Sequence, residues 1–342
     1  MSQIAIIGAG AWGTALSIVL GRKQRHRVRL WAYEKEVRES IATHRTNTAF
    51  LPEQRIPESV AVTGSLEEAL QQAAIVVSAM PSQHCRRLFQ EMSPHLDREI
   101  FLVSATKGLE QGTLLRMTEV IGSVTQTKIG CGVGALSGPS FAAEVARGDP
   151  TAITIASNDE ALCSAVQREF SDPAFRVYSN DDVVGVELGG ALKNIIAIAA
   201  GVCHGLGLGH NSVAALITRG LAEITRLATA CGGRADTTSG LAGLGDLVLT
   251  CTGGLSRNRS VGVELGRGRK LQEIISNMHG MVAEGVFTTD AAVQLARAHQ
   301  VEMPITEQMH AILNQGKSPA DAIQELMART SKRETHLASS AE

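Results

Sequence analysis

The sequence predicts an α/β protein in two parts: a doubly wound, mostly parallel sheet, then an all-helical C-terminal domain. Three observations carry this expectation. The 342 residues exceed the length at which a single core usually keeps growing. From Ile4 to about Val177, short apolar runs alternate with helical patterns, as in a sheet whose strands are joined by crossover helices on both faces. From residue 183 to 330, long helical periodicity replaces that alternation.

In chain order, QIAIIG (3–8) reads as the first strand, TALSIVLGRK (14–23) as a helix and RVRLWAY (27–33) as the second strand. AAIVVSAM (73–80), EIFLVSAT (99–106), IGCGVGALSG (129–138) and TAITIAS (151–157) continue the sheet. Asn180 is expected to cap the first helix of the second domain, where AALITRGLAEITRLATACGG (214–233) and TTDAAVQLARAHQ (288–300) repeat apolar residues at helical spacing. The boundaries are therefore 1–180 and 181–330, and 331–342, poor in apolar residues, reads as a loose tail.

Composition narrows the function. A net charge of −2 gives no global attraction to nucleic acid or acidic membranes, and 3% aromatic residues argue against a base-stacking surface. The six cysteines, at 85, 131, 163, 203, 231 and 251, form no CxxC pair, as expected of reduced thiols in the cytoplasm. No secretory leader is visible, and the most apolar window, 183–208, holds Glu187, Lys193 and several glycines, which argues against a membrane span. Ten scattered histidines lack ligand spacing, so no metal is expected, and a small-molecule partner is.

One motif stands in its required context. Gly8-Ala9-Gly10-Ala11-Trp12-Gly13 directly follows an apolar strand and opens a helix. Gly8 permits the tight turn, Gly10 admits a pyrophosphate to the backbone N–H groups, and Gly13 lets helix pack on strand. The helix N-terminus favours the phosphates, so the pattern predicts a Rossmann-type dinucleotide site. About twenty residues further on, Tyr33 and Glu34 close the second strand. Glu34 suits the ribose hydroxyl of NAD, whereas Lys35 and Arg38 suit the extra phosphate of NADP, which leaves the preference open.

A second stretch, GGALKNIIAIAAGVC (189–203), places Lys193 and Asn194 among apolar residues. A buried ammonium needs a partner, so this lysine either snorkels to a surface or lines a site.

The ordered series GAGAWGTAL, ATKGLE, LSGPSFAAEV, VELGGALKNIIAIAAG, GLGDLVLTCTGGLSRNR, AEG and EMPIT spans residues 8 to 306. It resembles the soluble, NAD(P)-dependent glycerol-3-phosphate dehydrogenase family of bacterial type. The resemblance implies reversible hydride transfer between NAD(P)H and dihydroxyacetone phosphate, giving sn-glycerol 3-phosphate for phospholipid synthesis in a cytoplasmic homodimer. It implies Lys193 as catalytic acid/base beside Asn194, with Lys107 near the nicotinamide and Asp246 and Thr250 contributed by the helical domain. Gly138 and Ser140 would line the same pocket. Ser256, Arg257 and Asn258 would hold the substrate phosphate, Arg257 also lying near the cofactor. Ala11, Trp12, Tyr33, Ala142, Val282 and Glu284 match further cofactor-contact positions. Many relatives carry serine at Ala11 and histidine or arginine at Tyr33, so two contacts to the cofactor differ in this chain.

The chemistry needs such residues. Hydride delivery to a ketone develops negative charge on its oxygen, which a lysine ammonium can stabilise and then protonate. An apolar wall lowers the lysine from its ordinary value near ~10.4, Lys107 lowers it further, and Asp246 opposes both. Two other readings share parts of the pattern. A β-hydroxy acid dehydrogenase would want a carboxylate site in place of Ser256-Arg257-Asn258-Arg259. A catalytically idle dinucleotide-binding regulator would need neither Lys193 nor Asp246.

Overall fold

The computed structural model describes residues 2–96, 100–125, 132–278, 282–331 and 334. Cys131 and most of the expected tail lie outside the described residues.

Strand β1 (Ser2–Ile7) is buried from Gln3 onward, and its side chains alternate between the sheet's two faces. Ile4 and Ile6 join one apolar cluster, Ala5 and Ile7 the other. Such two-sided burial is what a continuous apolar run encodes in a parallel sheet. The remaining strands are β2 (His26–Trp31), β3 (Thr46–Asn47), β4 (Leu51–Arg55), β5 (Val60–Thr63), β6 (Ile75–Ser78), β7 (Phe101–Ser104), β8 (Val133–Ser137), β9 (Thr151–Ala156) and β10 (Phe175–Asn180). Eight of them form one sheet in the order β10-β9-β8-β7-β6-β1-β2-β5, and β3 and β4 pair separately. The helices α1 (Ala11–Arg22), α2 (Lys35–His44), α3 (Leu66–Leu70), α4 (Cys85–Met92), α5 (Met117–Thr125), α6 (Ala142–Arg147) and α7 (Glu160–Phe170) accompany these strands.

Parallel register aligns the strand ends: Ile7 lies opposite both Trp31 and Ser78, Ser78 opposite Ser104, and Ser104 opposite Ala135. The loops that follow β1, β2, β6, β7 and β8 therefore share one edge. The strand order turns back on itself at β1, which is where open α/β sheets bind ligands.

The fold differs from expectation in several places. The sheet is mostly parallel, but β8 and β9 pair antiparallel, since the chain returns through α6 without crossing the sheet. The β3–β4 pair, poor in apolar residues, was unanticipated, as were β5, whose apolar run VAVT is only four residues long, and β10, whose apolar residues alternate with polar ones. Helix α1 begins at Ala11, immediately after the glycine turn. The second domain is capped by Asp182, whose carboxylate accepts from Gly185 N at 2.8 Å, while Asn180 accepts from Asp182 N at 2.8 Å.

The helical domain comprises α8 (Val183–Gly205), α9 (His210–Ala230), α10 (Ala235–Thr238), α11 (Asp246–Thr252), α12 (Arg257–Gly266), α13 (Leu271–Ser276), α14 (Glu284–Ala298), α15 (Pro304–Gln315) and α16 (Pro319–Met327). Helix α8 is long and apolar enough to cross a membrane, but α9, α11, α12 and α14 cover it. Its closest neighbour is α12, and glycine explains the approach. A Cβ on Gly262 would lie 1.9 Å from Ile198 O, and one on Gly201 would lie 2.1 Å from Arg259 O. Gly205 and Gly266, four residues on in each helix, are also crowded by opposing backbone, at 2.3 and 2.6 Å. Two small residues four apart on each helix let the backbones touch.

This crossing yields a stability prediction. Gly262→Ala has nowhere to put its methyl except against a carbonyl, so it should destabilise by about 1–3 kcal/mol or more, read as a lower denaturation midpoint. Gly254→Ala, whose Cβ would meet nothing within 4 Å, should leave the midpoint unchanged; equal midpoints for the two variants would refute the packing argument.

Candidate active site

The sheet edge carries the glycine loop. Gly8 adopts φ +114°, closed to most side chains, and a Cβ on Gly13 would fall 1.9 Å from Gly8 O. Gly10 caps α1 without a side chain, and a Cβ there would project into open space. The N–H groups of the first turn thus face an uncluttered concavity at the positive end of a twelve-residue helix. Asn47 steadies the loop by donating to Ala9 O at 2.7 Å and Thr14 Oγ1 at 2.9 Å. Trp12 Nε1 is buried without a hydrogen-bond partner among the described residues, and Ala11 is half-buried beside it. These features fit a dinucleotide.

At the end of β2, Tyr33 and Glu34 are exposed, Glu34 preceding the first turn of α2. Lys35 turns outward to Glu39 at 3.5 Å, whereas Arg38 folds back to donate to Ala32 O at 2.8 Å and Tyr33 O at 2.7 Å. Arg38, with Trp31, Tyr33, Gly64 and Ser65, borders an open trough of ≈ 460 Å³.

The second cluster joins the two domains. Lys193, halfway along α8, donates from Nζ to Asp246 Oδ1 at 2.6 Å and to Thr250 Oγ1 at 2.6 Å. Lys107, in the loop after β7, donates to Asp246 Oδ2 at 2.6 Å and to Gly138 O at 3.2 Å. One carboxylate thus bridges two lysines. Thr250 accepts from Lys193 because its own hydroxyl hydrogen goes to Asp246 O at 2.6 Å. Ser140 donates to Gly138 O at 2.9 Å, and Gly138 adopts φ +139° against Ile153. Ser137 Oγ, buried beside Gly190 of α8, has no partner among the described residues.

Electrostatics follow from burial. Desolvation is the largest influence on Lys193; Lys107 adds to it, Asp246 opposes both, and the amine is lowered to about 8. Desolvation alone would raise Asp246, but the two lysines hold its carboxyl below the ordinary range. With Asp246 ionised and both lysines protonated, the cluster carries one net positive charge. Each ammonium has three hydrogens and spends two here, leaving one apiece for a ligand.

The phosphate residues predicted from SRNR are split in role. Ser256 caps α12 by accepting from Arg259 N at 3.2 Å, and Arg257 stands in the first turn with its side chain reaching solvent. Burial of the surroundings weighs against the Arg257 charge, and Glu284 offsets this. Asn258 is buried and donates to Asn194 Oδ1 at 2.9 Å and accepts from Gly285 N at 3.0 Å, tying α8, α12 and α14 together. These bonds use one of its two amide hydrogens, so the side chain keeps a second N–H, and Asn194 meets it through its amide oxygen. Glu284, at the start of α14, accepts from Ser82 N at 3.0 Å and Ser82 Oγ at 2.6 Å. Val282 is half-buried just before it, and Ala142 opens α6, half-buried near the glycine loop side of the sheet.

Sequence reasoning missed Ser82, Arg116, Thr118 and the role of Glu187. Arg116 Nη1 donates to Glu187 Oε2 at 2.7 Å, and Thr118 N to Glu187 Oε1 at 2.9 Å. The signal for Glu187 was the one that flagged Lys193, a charge in an apolar helix.

A dinucleotide loop on the same sheet edge as a lysine-aspartate-lysine cluster, where a doubly wound sheet meets a helical domain, defines a nicotinamide-dependent dehydrogenase. The models of the NAD-dependent glycerol-3-phosphate dehydrogenase N-terminus and C-terminus match residues 3–163 and 182–324. A glycerol-3-phosphate dehydrogenase [NAD(P)+] of Koribacter versatilis is 69% identical over 337 residues, 98% of this chain and 100% of the relative. One of Acidobacterium capsulatum is 54% identical, covering 98% of this chain and all of its own. The crystal structure of glycerol-3-phosphate dehydrogenase from Coxiella burnetii superposes with a TM-score of 0.91 at 42% identity, over 96% of this chain and 99% of that one. The chain belongs to the NAD-dependent glycerol-3-phosphate dehydrogenase family.

The bridge itself can be tested. Asp246→Asn leaves two ammonium groups facing each other without a counter-charge, which should cost about 3 kcal/mol or more at neutral pH. A lysine depressed in the folded state gains stability as pH rises from its folded value towards ~10.4. Without Asp246 the amine is lowered further than the wild-type value of about 8, so below that pH only the variant gains and above it both gain alike. The deficit of the variant should therefore shrink as pH rises from neutral to about 8 and then level off, as measured by urea denaturation; a deficit constant across that interval would argue against the bridge.

Proposed function

We propose that this chain interconverts dihydroxyacetone phosphate and sn-glycerol 3-phosphate with Lys193 as the proton donor and acceptor. The observation that carries the reading is the Lys193–Asp246–Lys107 cluster, centred on the buried Asp246 and tied through Lys107 to the sheet edge that carries the glycine loop. When bound, the nicotinamide dinucleotide supplies the hydride in reduction and accepts it in oxidation.

The residues divide the remaining work. Lys193 Nζ places its free N–H on the substrate C2 oxygen, stabilises the charge that develops there and passes its proton to it. Lys107 offers its spare N–H to the same region. Asp246, held ionised, orients both ammonium groups and takes no proton. Thr250 fixes the Lys193 rotamer. Gly138 and Ser140 shape the wall beside Lys107. The first turn of α12, with Ser256, Arg257 and Asn258, receives the phosphate through N–H groups and a guanidinium fork. Net positive charge in the cluster complements the anionic substrate.

The cofactor would lie along Gly8, Gly10, Ala11, Trp12 and Gly13, with Tyr33 and Glu34 towards its adenosine end. Lys107, Ala142, Arg257, Val282 and Glu284 would border its nicotinamide half. The reading includes a cytoplasmic homodimer, to be checked by sedimentation.

Purified protein should oxidise NADPH or NADH only when dihydroxyacetone phosphate is present; absence of that dependence with both cofactors would sink the assignment. Lys193→Met should fold and bind dinucleotide, while kcat falls by about 10²-fold or more. In wild type, reduction requires protonated Lys193, so kcat/KM for the ketone should fall as pH rises through about 8, and kcat/KM for the alcohol should rise over the same interval. Profiles flat across that range would remove Lys193 from the proton transfer.

A further inference from the structure

The loop between β7 and α5, residues 105–116, carries Lys107, and the helical domain grips it at three points. Leu109 inserts into the apolar core of the helical domain. Near Lys107, Gly108 lies flat on the contact between Ser82 and Glu284: a Cβ there would come 2.8 Å from Ser82 Oγ and 3.4 Å from Glu284 Oε2. At the far end, Glu187 of α8 accepts from Arg116 Nη1 at 2.7 Å, from Thr118 N at 2.9 Å and from the Thr118 hydroxyl. The loop closes on itself through Glu110 N to Leu115 O at 2.9 Å, and Arg86 clasps Glu110 with two bonds of 2.8 Å. The segment between Arg116 and Lys107 is thus held as one braced loop.

Glu187 is buried, and a buried ion pair is a costly way merely to fill space, since an apolar side chain of similar volume often does as well or better. What a carboxylate adds is direction: it accepts an N–H, a hydroxyl and a guanidinium at once, fixing where the loop begins its return into α5. It does so from the helix that carries Lys193. We propose that Glu187 is a positioning residue for the reaction: it holds the loop so that Lys107 meets Asp246. Glu187 touches neither Lys193 nor Asp246 and acts through the loop alone. This role rests on the function proposed above for the cluster.

The test uses the full chain. Glu187→Gln keeps the shape and one acceptor but loses the ion pair, and Thr118→Val removes one bond while leaving that pair. With Lys107 displaced, Asp246 answers to Lys193 alone, and the amine also loses its like-charged neighbour; Cys251 is the other titratable group facing it. Both changes raise the Lys193 titration. Glu187→Gln should therefore raise KM for dihydroxyacetone phosphate about tenfold and move the basic limb of kcat/KM to higher pH. Thr118→Val should shift both in the same direction by less, and it decides the question should Glu187→Gln fail to fold. Amide hydrogen exchange should show residues 105–116 less protected in each folded variant. Unchanged KM and an unmoved basic limb, whatever happens to stability, would overturn the proposal. Wild-type turnover measured in parallel separates this outcome from failure of the functional reading, because only the latter abolishes ketone-dependent oxidation in wild type.

Discussion

The site depends on one carboxylate. Asp246 takes an ammonium on each oxygen, Lys193 from its own domain and Lys107 from the sheet edge, at 2.6 Å each. Burial works against the charge of Lys193, which Asp246 offsets, and without the two lysines Asp246 would not stay ionised in so buried a place. The dependence extends to the domains: the cluster forms only when the sheet edge and the helical domain stand in the observed relation.

Backbone contact sets that relation. A π-helical turn, Leu241–Gly245, runs into α11 and delivers Asp246 to its first position, and such turns recur at functional sites. Gly189 lets this turn approach α8, since a Cβ there would lie 3.0 Å from Ala242 O, and Gly190 gives room to Ser137 at the end of β8. The glycines that made 189–203 look odd beside a lysine are therefore the reason that helix touches the turn, the sheet and α12 at once. Small residues bring the backbones together, and Lys193 gains partners on the surfaces they admit.

Much of this was legible in the sequence, for identifiable reasons. The strands of the sheet are continuous apolar runs, the glycine loop occurs in its strand-turn-helix context, and Lys193 advertises itself by its neighbours. Lys107 and Asp246 were legible as members of the motif series, but their shared contact was not, because they stand 139 residues apart and meet only through tertiary structure. Asn258 is a related case: its bonds to Asn194 and Gly285 were not legible either, because α8, α12 and α14 meet there only in the folded chain. The antiparallel pairing of β8 and β9 left no trace, since each strand reads as apolar whichever way its neighbour runs.

Glu187 was read only in part, for a deeper reason. Its presence in the apolar window counted only against a membrane span, although three buried or half-buried carboxylates of the helical domain do the same physical task. Glu284 accepts the N–H of Ser82, which opens the 3₁₀ turn Ser82–His84; Glu187 accepts that of Thr118 in the first turn of α5; Glu223 accepts those of Ile305 and Thr306, at 2.7 and 3.1 Å, in the first turn of α15. The residues before the first and last of these starts, Pro81 and Met303, provide no side-chain cap. Each carboxylate thus meets the unpaired donors and partial positive charge of a helix start from 69 to 202 residues away. Local cap signals fail there because the cap is tertiary. Such a cap links two segments of chain, whereas a local serine would satisfy only one, and two of the three segments so linked frame the loop that carries Lys107.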